Sequence, residues 1–255
     1  MNLHVIATGS GGNCYILDIP GRGKLLLDCG VRIQEIKQAL NFDLSGVVGC
    51  LITHEHQDHC KAAHELMALG VDVYTSAGTA RACGLTGHRV HVVEADKGFD
   101  IYSPDDDFQV KSLGFIRPIR TQHDAAEPLG FVISVGGEQL LYATDTYYLE
   151  YAFKGLNYII IECNYMLDTL DANIAAGRIP RELRRRLLKS HFELHNLVGF
   201  LQASDLKKCR QIVLVHLSDG NSDSKRMVSE VFLQTGIQCV AADAGMDVKL
   251  EMVPF

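Results

Sequence analysis

The chain lacks any apolar run approaching the ~20 residues of a membrane-spanning helix, so no span is expected in its 255 residues. It also lacks a basic leader: Met1-Asn2-Leu3-His4-Val5-Ile6 reads directly as a strand, and no signal peptide is expected. None of its eight cysteines forms a Cys-x-x-Cys pair. Cys14, Cys29, Cys50 and Cys163 lie in or beside apolar runs, where a free thiol packs as a small hydrophobe. These absences fit a reduced, cytoplasmic protein. No linker, low-complexity tract or charge block separates a second domain, so residues 1–255 are expected to form a single domain. Positive charge is in deficit as well. A net charge of −7 argues against a surface basic all over, while leaving room for a local basic groove.

What is present is ordinary in bulk, 47% apolar and 22% charged, and unusual in one place. The apolar run Val47-Val48-Gly49-Cys50-Leu51-Ile52 reads as a buried strand, and it empties into Thr53-His54-Glu55-His56-Gln57-Asp58-His59. On an extended backbone His54 and His56 point to the same side and can reach one cation. Asp58 and His59 lie a turn further on and can reach a second. Imidazole nitrogen and carboxylate oxygen suit zinc, manganese and iron.

Around this stretch, residues 3–7, 13–19 and 23–28 read as a meander of three strands. The loop Thr8-Gly9-Ser10-Gly11-Gly12-Asn13 is a hairpin turn by its composition, or a place where backbone N–H groups meet an anion; Ser10 and Asn13 are its candidate substrate contacts. Asp28 leaves the run Leu25-Leu26-Leu27 and is placed to orient a ligand imidazole. Helices are expected over 31–40, 61–69, 76–83, 179–189, 192–203 and 223–235. Further strands are expected over 71–74, 88–93, 98–103, 107–115, 129–135, 139–143, 157–161, 211–215, 237–241 and 247–252. The turn Pro104-Asp105-Asp106-Asp107 reads as solvated, and His64, His88 and His91 as structural. The segment Gly177–Lys189 carries six basic residues against one acid, with Arg184-Arg185-Arg186 at its centre. Charge runs are usually solvated helix faces. Leading into Ser190-His191, this one is equally suited to track a phosphate backbone.

His54-x-His56-x-Asp58-His59 resembles the signature of the metallo-β-lactamase-fold hydrolases. The resemblance implies an α/β fold, an αββα four-layer sandwich of two mixed sheets with helices outside. It also implies three ligands further on, a His, an Asp and a His. His123 before the strand at 129, Asp145 leaving the strand at 139–143, and His216 capping 211–215 stand in that order. By the same resemblance His54, His56 and His123 hold one metal, Asp58, His59 and His216 the other, and Asp145 bridges them. Zn2+ is favoured, with Mn2+ or Fe also compatible. Two such ions lower the pKa of a shared water and clamp the reacting oxygens, with Asp58 in the catalytic group.

Glu162 and His191 stand where ribonuclease Z and its small relatives keep a glutamate–histidine dyad. A histidine held by a carboxylate can protonate an alkoxide leaving group. Over nearly its whole length the chain resembles the bacterial YycJ/WalJ-type DNA exonucleases. The shared pieces are Ala7–Cys14, Leu27–Gly30, Thr53–His59 and Val215–Ser218, whereas Ser190-His191-Phe192-Glu193 departs from the family's usual Gly-His-Leu-Ser. The resemblance implies a dinuclear phosphodiester hydrolase, a nuclease acting on DNA from the 5′ end, with no membrane partner; a homodimer is compatible. A small-molecule hydrolase of the same fold, for a cyclic phosphodiester, thioester or lactone, is the alternative. A non-enzymatic metal-binding protein is the weaker one, because none of the seven ligands is missing.

Overall fold

The computed structural model describes residues 1–104 and 110–250. The solvated turn expected at 105–107 and the end of the strand expected over 247–252 lie outside them. Two compact units divide the chain: 1–119, 125–138 and 243–255 form the first, 120–124 and 139–242 the second. Neither is one continuous stretch, so there was no linker for the composition to reveal.

In the first unit β1 (Asn2–Ala7), β2 (Cys14–Ile19) and β3 (Gly23–Leu27) make the expected antiparallel meander. Next to β3 come β4 (Val47–Leu51), β5 (Val73–Thr75) and β6 (Val90–Val92), each parallel to its neighbour. Parallel strands cannot be joined by tight turns. The returns are accordingly made through α1 (Ile33–Ala39), the short α2 (Gln57–Cys60) and α3 (Ala63–Ala68), and α4 (Ala77–Ala82). Ile16, Leu26, Ile36, Cys50, Ile52 and Leu66 belong to one buried cluster here. Each large aliphatic side chain so buried contributes about 1.5–3 kcal/mol.

The same unit holds β7 (Phe99–Pro104) and β8 (Val110–Arg120), paired antiparallel, with β9 (Leu129–Val135) beside β8. The sequence predicts a strand end at 115, but β8 runs on through Arg117-Pro118-Ile119-Arg120. Leu113, Ile116 and Ile119 are buried, and the Pro118 carbonyl takes the Asp96 N–H. Proline has no N–H to give the ladder there but still accepts through its carbonyl.

The second unit is built on four parallel strands, β10 (Glu138–Ala143), β11 (Tyr158–Glu162), β12 (Gln211–Val215) and β13 (Gln238–Ala241), side by side in that order. Every residue of β11 and β12 is buried, as strands covered on both faces require. The helices are α5 (Leu167–Ala175), α6 (Arg181–Ser190), α7 (Leu194–Ala203) and α8 (Ser224–Thr235). The Glu193 side chain caps α7 by accepting from the His195 and Asn196 N–H groups, and Asp223 caps α8 by accepting from Arg226 N–H. Gly236, in the left-handed region, ends α8. Helix α5 was not foreseen: Asp168, Thr169, Asp171 and Asn173 are poor helix formers. Leu170, buried with Tyr165 and Leu187, holds it in place. The last strand, β14 (Asp247–Lys249), returns to the first unit and pairs antiparallel with β1.

Candidate active site

In the first unit, β3 and β4 run parallel, so the residues leaving them emerge at the same edge. Asp28 leaves β3 with φ 57°, in the left-handed region that non-glycine residues rarely adopt. Its buried carboxylate accepts the Thr53 N–H at 2.8 Å, the Thr53 hydroxyl at 3.0 Å and His59 Nδ1–H at 2.8 Å. The Thr53 hydroxyl lies 3.0 Å from His54 Nδ1. Thr53 thus ties both imidazoles to one carboxylate, a role the sequence alone did not suggest. His54 Nε2 faces His56 Nδ1 at 3.1 Å, and His59 Nε2 lies 3.6 Å from Asp58 Oδ2. Gly30 packs flat against this loop. A Cβ there would meet Asp58 O at 1.7 Å, so only glycine admits the approach.

Asn13, read from the sequence as a substrate contact, is buried and occupied. Its amide exchanges hydrogen bonds with Gly9 N–H and Gly9 O at 3.0 Å each, and its Nδ2 lies 3.1 Å from His59 Nε2. Its side chain shapes the Gly9–Gly12 turn, while Ser10 at the tip is exposed. The histidines read as structural lie apart from this cluster: His64 bonds the Cys83 carbonyl at 3.0 Å, His91 stacks on Tyr74, and His88 is exposed.

The second unit repeats the logic at the ends of β10, β11 and β12. Asp145 follows β10 with φ 35°, Glu162 is the last residue of β11, and His216 follows β12 with φ 54°. Residues held in such conformations cost about 1–3 kcal/mol each and gather at functional sites. Glu162 is the hub. Its Oε1 takes His191 Nδ1 at 2.6 Å and His216 Nδ1 at 2.7 Å, and its Oε2 takes the Thr146 and Phe192 N–H groups at 2.9 and 3.1 Å. Burial pushes this carboxyl up, but the His191 charge and the bonds from both imidazoles hold it below the usual carboxylate range. His191 moves the other way. Burial would lower it, but the Glu162 charge, the bond to Glu162 and the Asp145 charge raise it.

His123 donates from Nδ1 to the Ser190 carbonyl at 2.7 Å and brings Nε2 to 3.5 Å from Asp145 Oδ2. Burial pulls its pKa down, favouring the neutral imidazole. The Asn164 amide donates to the His216 carbonyl at 2.9 Å, a support that carries no local sequence signature. Beside His123 and Ser190, Arg185, Arg186 and Lys189 line an open cleft of about 390 Å3 with Asp124 and Glu182. Arg184 is engaged elsewhere, its guanidinium forked on Asp171 at 2.6 and 3.3 Å.

Do these residues fit metal ions? The donor chemistry says that they do. Bonded through Nδ1 to an oxygen, His54, His59, His123 and His216 each present Nε2 as a lone pair. Ligand imidazoles are commonly fixed in this way. His56 brings Nδ1 to 3.1 Å from His54 Nε2, a spacing at which two imidazoles can share one cation. The first unit gathers His54, His56, Asp58 and His59; the second gathers His123, Asp145 and His216, with Glu162 and His191 beside them.

The sequence model of the beta-lactamase superfamily domain matches residues 24–217, a span that contains every one of these side chains. The chain belongs to that superfamily. Exodeoxyribonuclease YycJ of Bacillus anthracis is 30% identical over 256 aligned residues, covering 92% of this chain and 91% of its own. The metallo-β-lactamase fold protein YhfI of Bacillus subtilis superposes with a TM-score of 0.70 at 15% identity, over 97% of this chain and 99% of that one. Zn2+-bound PqqB of Methylobacterium extorquens gives a TM-score of 0.69 at 15% identity, over 98% and 100% of the two chains. The fold is the metallo-β-lactamase fold, α/β with two mixed sheets and helices. As a member of the beta-lactamase superfamily the chain is a metal-dependent hydrolase. Among the described residues, no helix is long and apolar enough to cross a membrane.

Proposed function

We propose that the chain hydrolyses phosphodiester bonds of nucleic acid in the cytoplasm, acting on DNA in preference to RNA and from the 5′ end. One observation carries the reading: the 2.6 Å bond between His191 Nδ1 and the buried Glu162 carboxylate. A departing sugar alkoxide needs a proton, and an imidazole oriented by a carboxylate can give one from its other nitrogen. Hydrolysis of a lactam or thioester has less need of such a pair. The cleft of Arg185, Arg186 and Lys189 next to His123 supports a polyanionic substrate, as does the relatedness to an exodeoxyribonuclease.

In this reading His54, His56 and His123 would hold one divalent ion and Asp58, His59 and His216 the other, with Asp145 contributing to both. Zinc, with manganese or iron as substitutes, would there supply Lewis acidity toward the phosphoryl oxygens and a water of lowered pKa. The chain's own groups do the rest. Glu162 keeps His191 oriented with Nδ1 occupied, and His191 delivers a proton to the leaving oxygen. Arg185, Arg186 and Lys189 hold the flanking phosphates, while Arg184 stays with Asp171. Exposed Ser10 can reach a substrate, whereas Asn13 acts by holding its turn.

The test is product analysis of end-labelled single- and double-stranded DNA and RNA, with zinc, with manganese and with chelator. Mononucleotides released from the 5′ end of DNA, and only with metal, are expected. Turnover of a thioester, lactone or cyclic diester without any attack on the polymers would overturn the reading in favour of a small-molecule hydrolase.

A further inference from the structure

Tyr147 and Tyr148, two and three residues beyond Asp145, are 37% and 54% exposed. Single exposed aromatics are common and mean little. These two are adjacent, and the turn that carries them is tightly fixed. The Thr146 N–H is held by Glu162 at 2.9 Å, and the Thr146 hydroxyl donates to the Tyr148 carbonyl at 2.7 Å. That hydroxyl also accepts the Gln122 N–H at 2.9 Å, and the Tyr147 N–H reaches the Gln122 carbonyl at 3.1 Å. Among the described residues, neither ring stacks on another ring and neither hydroxyl makes a hydrogen bond. Tyr151, by contrast, accepts the Arg120 N–H and stacks on Phe153.

The backbone of the pair is thus locked while its rings are left to solvent. Successive Cα atoms are about 3.8 Å apart, which keeps the Tyr147 Cα within about 8 Å of the Asp145 Cα. The short segment Gln122–Asp124 connects this turn to the basic cleft. Gln122 bonds the turn, His123 lines the cleft, and Asp124 lies 3.4 Å from Arg186. Charge suited to phosphates and flat rings suited to bases are therefore joined through one segment. A rigid turn loses little entropy when a base settles on it.

We propose that Tyr147 and Tyr148 form a stacking platform for the nucleobases flanking the scissile phosphate. This deepens the nucleic-acid reading and rests on it. Stacking is tolerant of sequence, because every base presents a π-face, and removing an aromatic partner weakens binding about five- to hundredfold per base.

The chain contains no tryptophan, so Tyr148→Trp installs a single fluorescent reporter at the platform. The ligands are a phosphorothioate oligo(dT) that resists cleavage and an abasic phosphorothioate oligomer of the same length. Quenching by oligo(dT) but not by the abasic strand is expected. A Tyr147→Ala/Tyr148→Ala double variant should lose about five- to hundredfold in oligo(dT) affinity for each base that the platform stacks. It should bind the abasic strand unchanged and hydrolyse a small diester of two abasic deoxyribose units, which carries neither base nor aromatic ring, at the original rate. Equal losses for both strands, an unchanged affinity for oligo(dT), or no quenching would each overturn the platform. Wild-type protein that turns over the small diester but binds neither strand would overturn the nucleic-acid reading, and the platform with it.

Discussion

Replacing Glu162 by glutamine changes one atom in shape and two hydrogen bonds in substance. Each carboxylate oxygen accepts from two donors, Oε1 from the two imidazoles and Oε2 from the Thr146 and Phe192 N–H groups. An amide NH2 accepts nothing, so whichever side it takes, two donors face it. A buried donor left unmade costs about 1–3 kcal/mol, giving roughly 2–6 kcal/mol for the pair. At about 2–4 °C per kcal/mol for a chain of this size, the metal-free protein should melt roughly 5–20 °C lower by circular dichroism. One relaxation is open. His191 and His216 can move their protons to Nε2 and accept from the amide through Nδ1, which brings the cost to the low end of that range. His216 Nε2 would then carry a hydrogen in place of the lone pair a metal needs, and affinity for the second ion should fall. The variant must lose stability or metal. A melting point within about 2 °C of wild type, together with unchanged metal affinity, would refute the reading of Glu162 as the shared acceptor.

Asp28→Asn keeps the fold but replaces the carboxylate that orients His59, 2.8 Å from Nδ1. Metal affinity measured by competition with a chromophoric chelator should drop about 10–100-fold, and no drop would detach Asp28 from the site. Fully loaded wild-type protein should contain two metal ions per chain by elemental analysis, and Asp145→Ala at most one. A single ion in the wild type would contradict the proposed bridging role. Arg185→Ala with Arg186→Ala should weaken single-stranded DNA binding and reduce the slope of log K against log salt by about 0.7–0.9 per lost phosphate contact. An unchanged slope would return the cleft to a solvated helix face.

The candidate ligands of the first unit could be singled out because four metal-capable side chains crowd the end of one apolar run, a pattern with few other uses. Asp145, His216 and Glu162 were singled out by the family resemblance; each also stands at or just after the end of a mostly apolar run, and parallel strands deliver their C-terminal ends to one edge. Much of the supporting layer could not be read. Thr53, Asn164 and the Ser190 carbonyl act through contacts set by chain crossings, which no local pattern encodes. Composition also misled at Asn13, where a polar residue in a glycine-rich turn is spent on the turn itself. The same was true of α5, whose polar residues hid the apolar spacing of Leu167, Leu170 and Ile174. The run of three arginines looked uniform in sequence, whereas the structure separates Arg184, paired with Asp171, from Arg185 and Arg186 in the cleft.

The decisive measurement compares wild-type protein and His191→Ala on two diesters, a natural dinucleotide and one with a p-nitrophenolate leaving group. If His191 protonates the leaving oxygen, turnover of the dinucleotide should fall about 10²–10⁴-fold with both metals retained. The p-nitrophenyl ester, whose leaving group needs little protonation, should lose far less. Equal losses on the two substrates would contradict the acid role and leave His191 as a structural partner of Glu162. Loss of bound metal would instead make His191 a ligand.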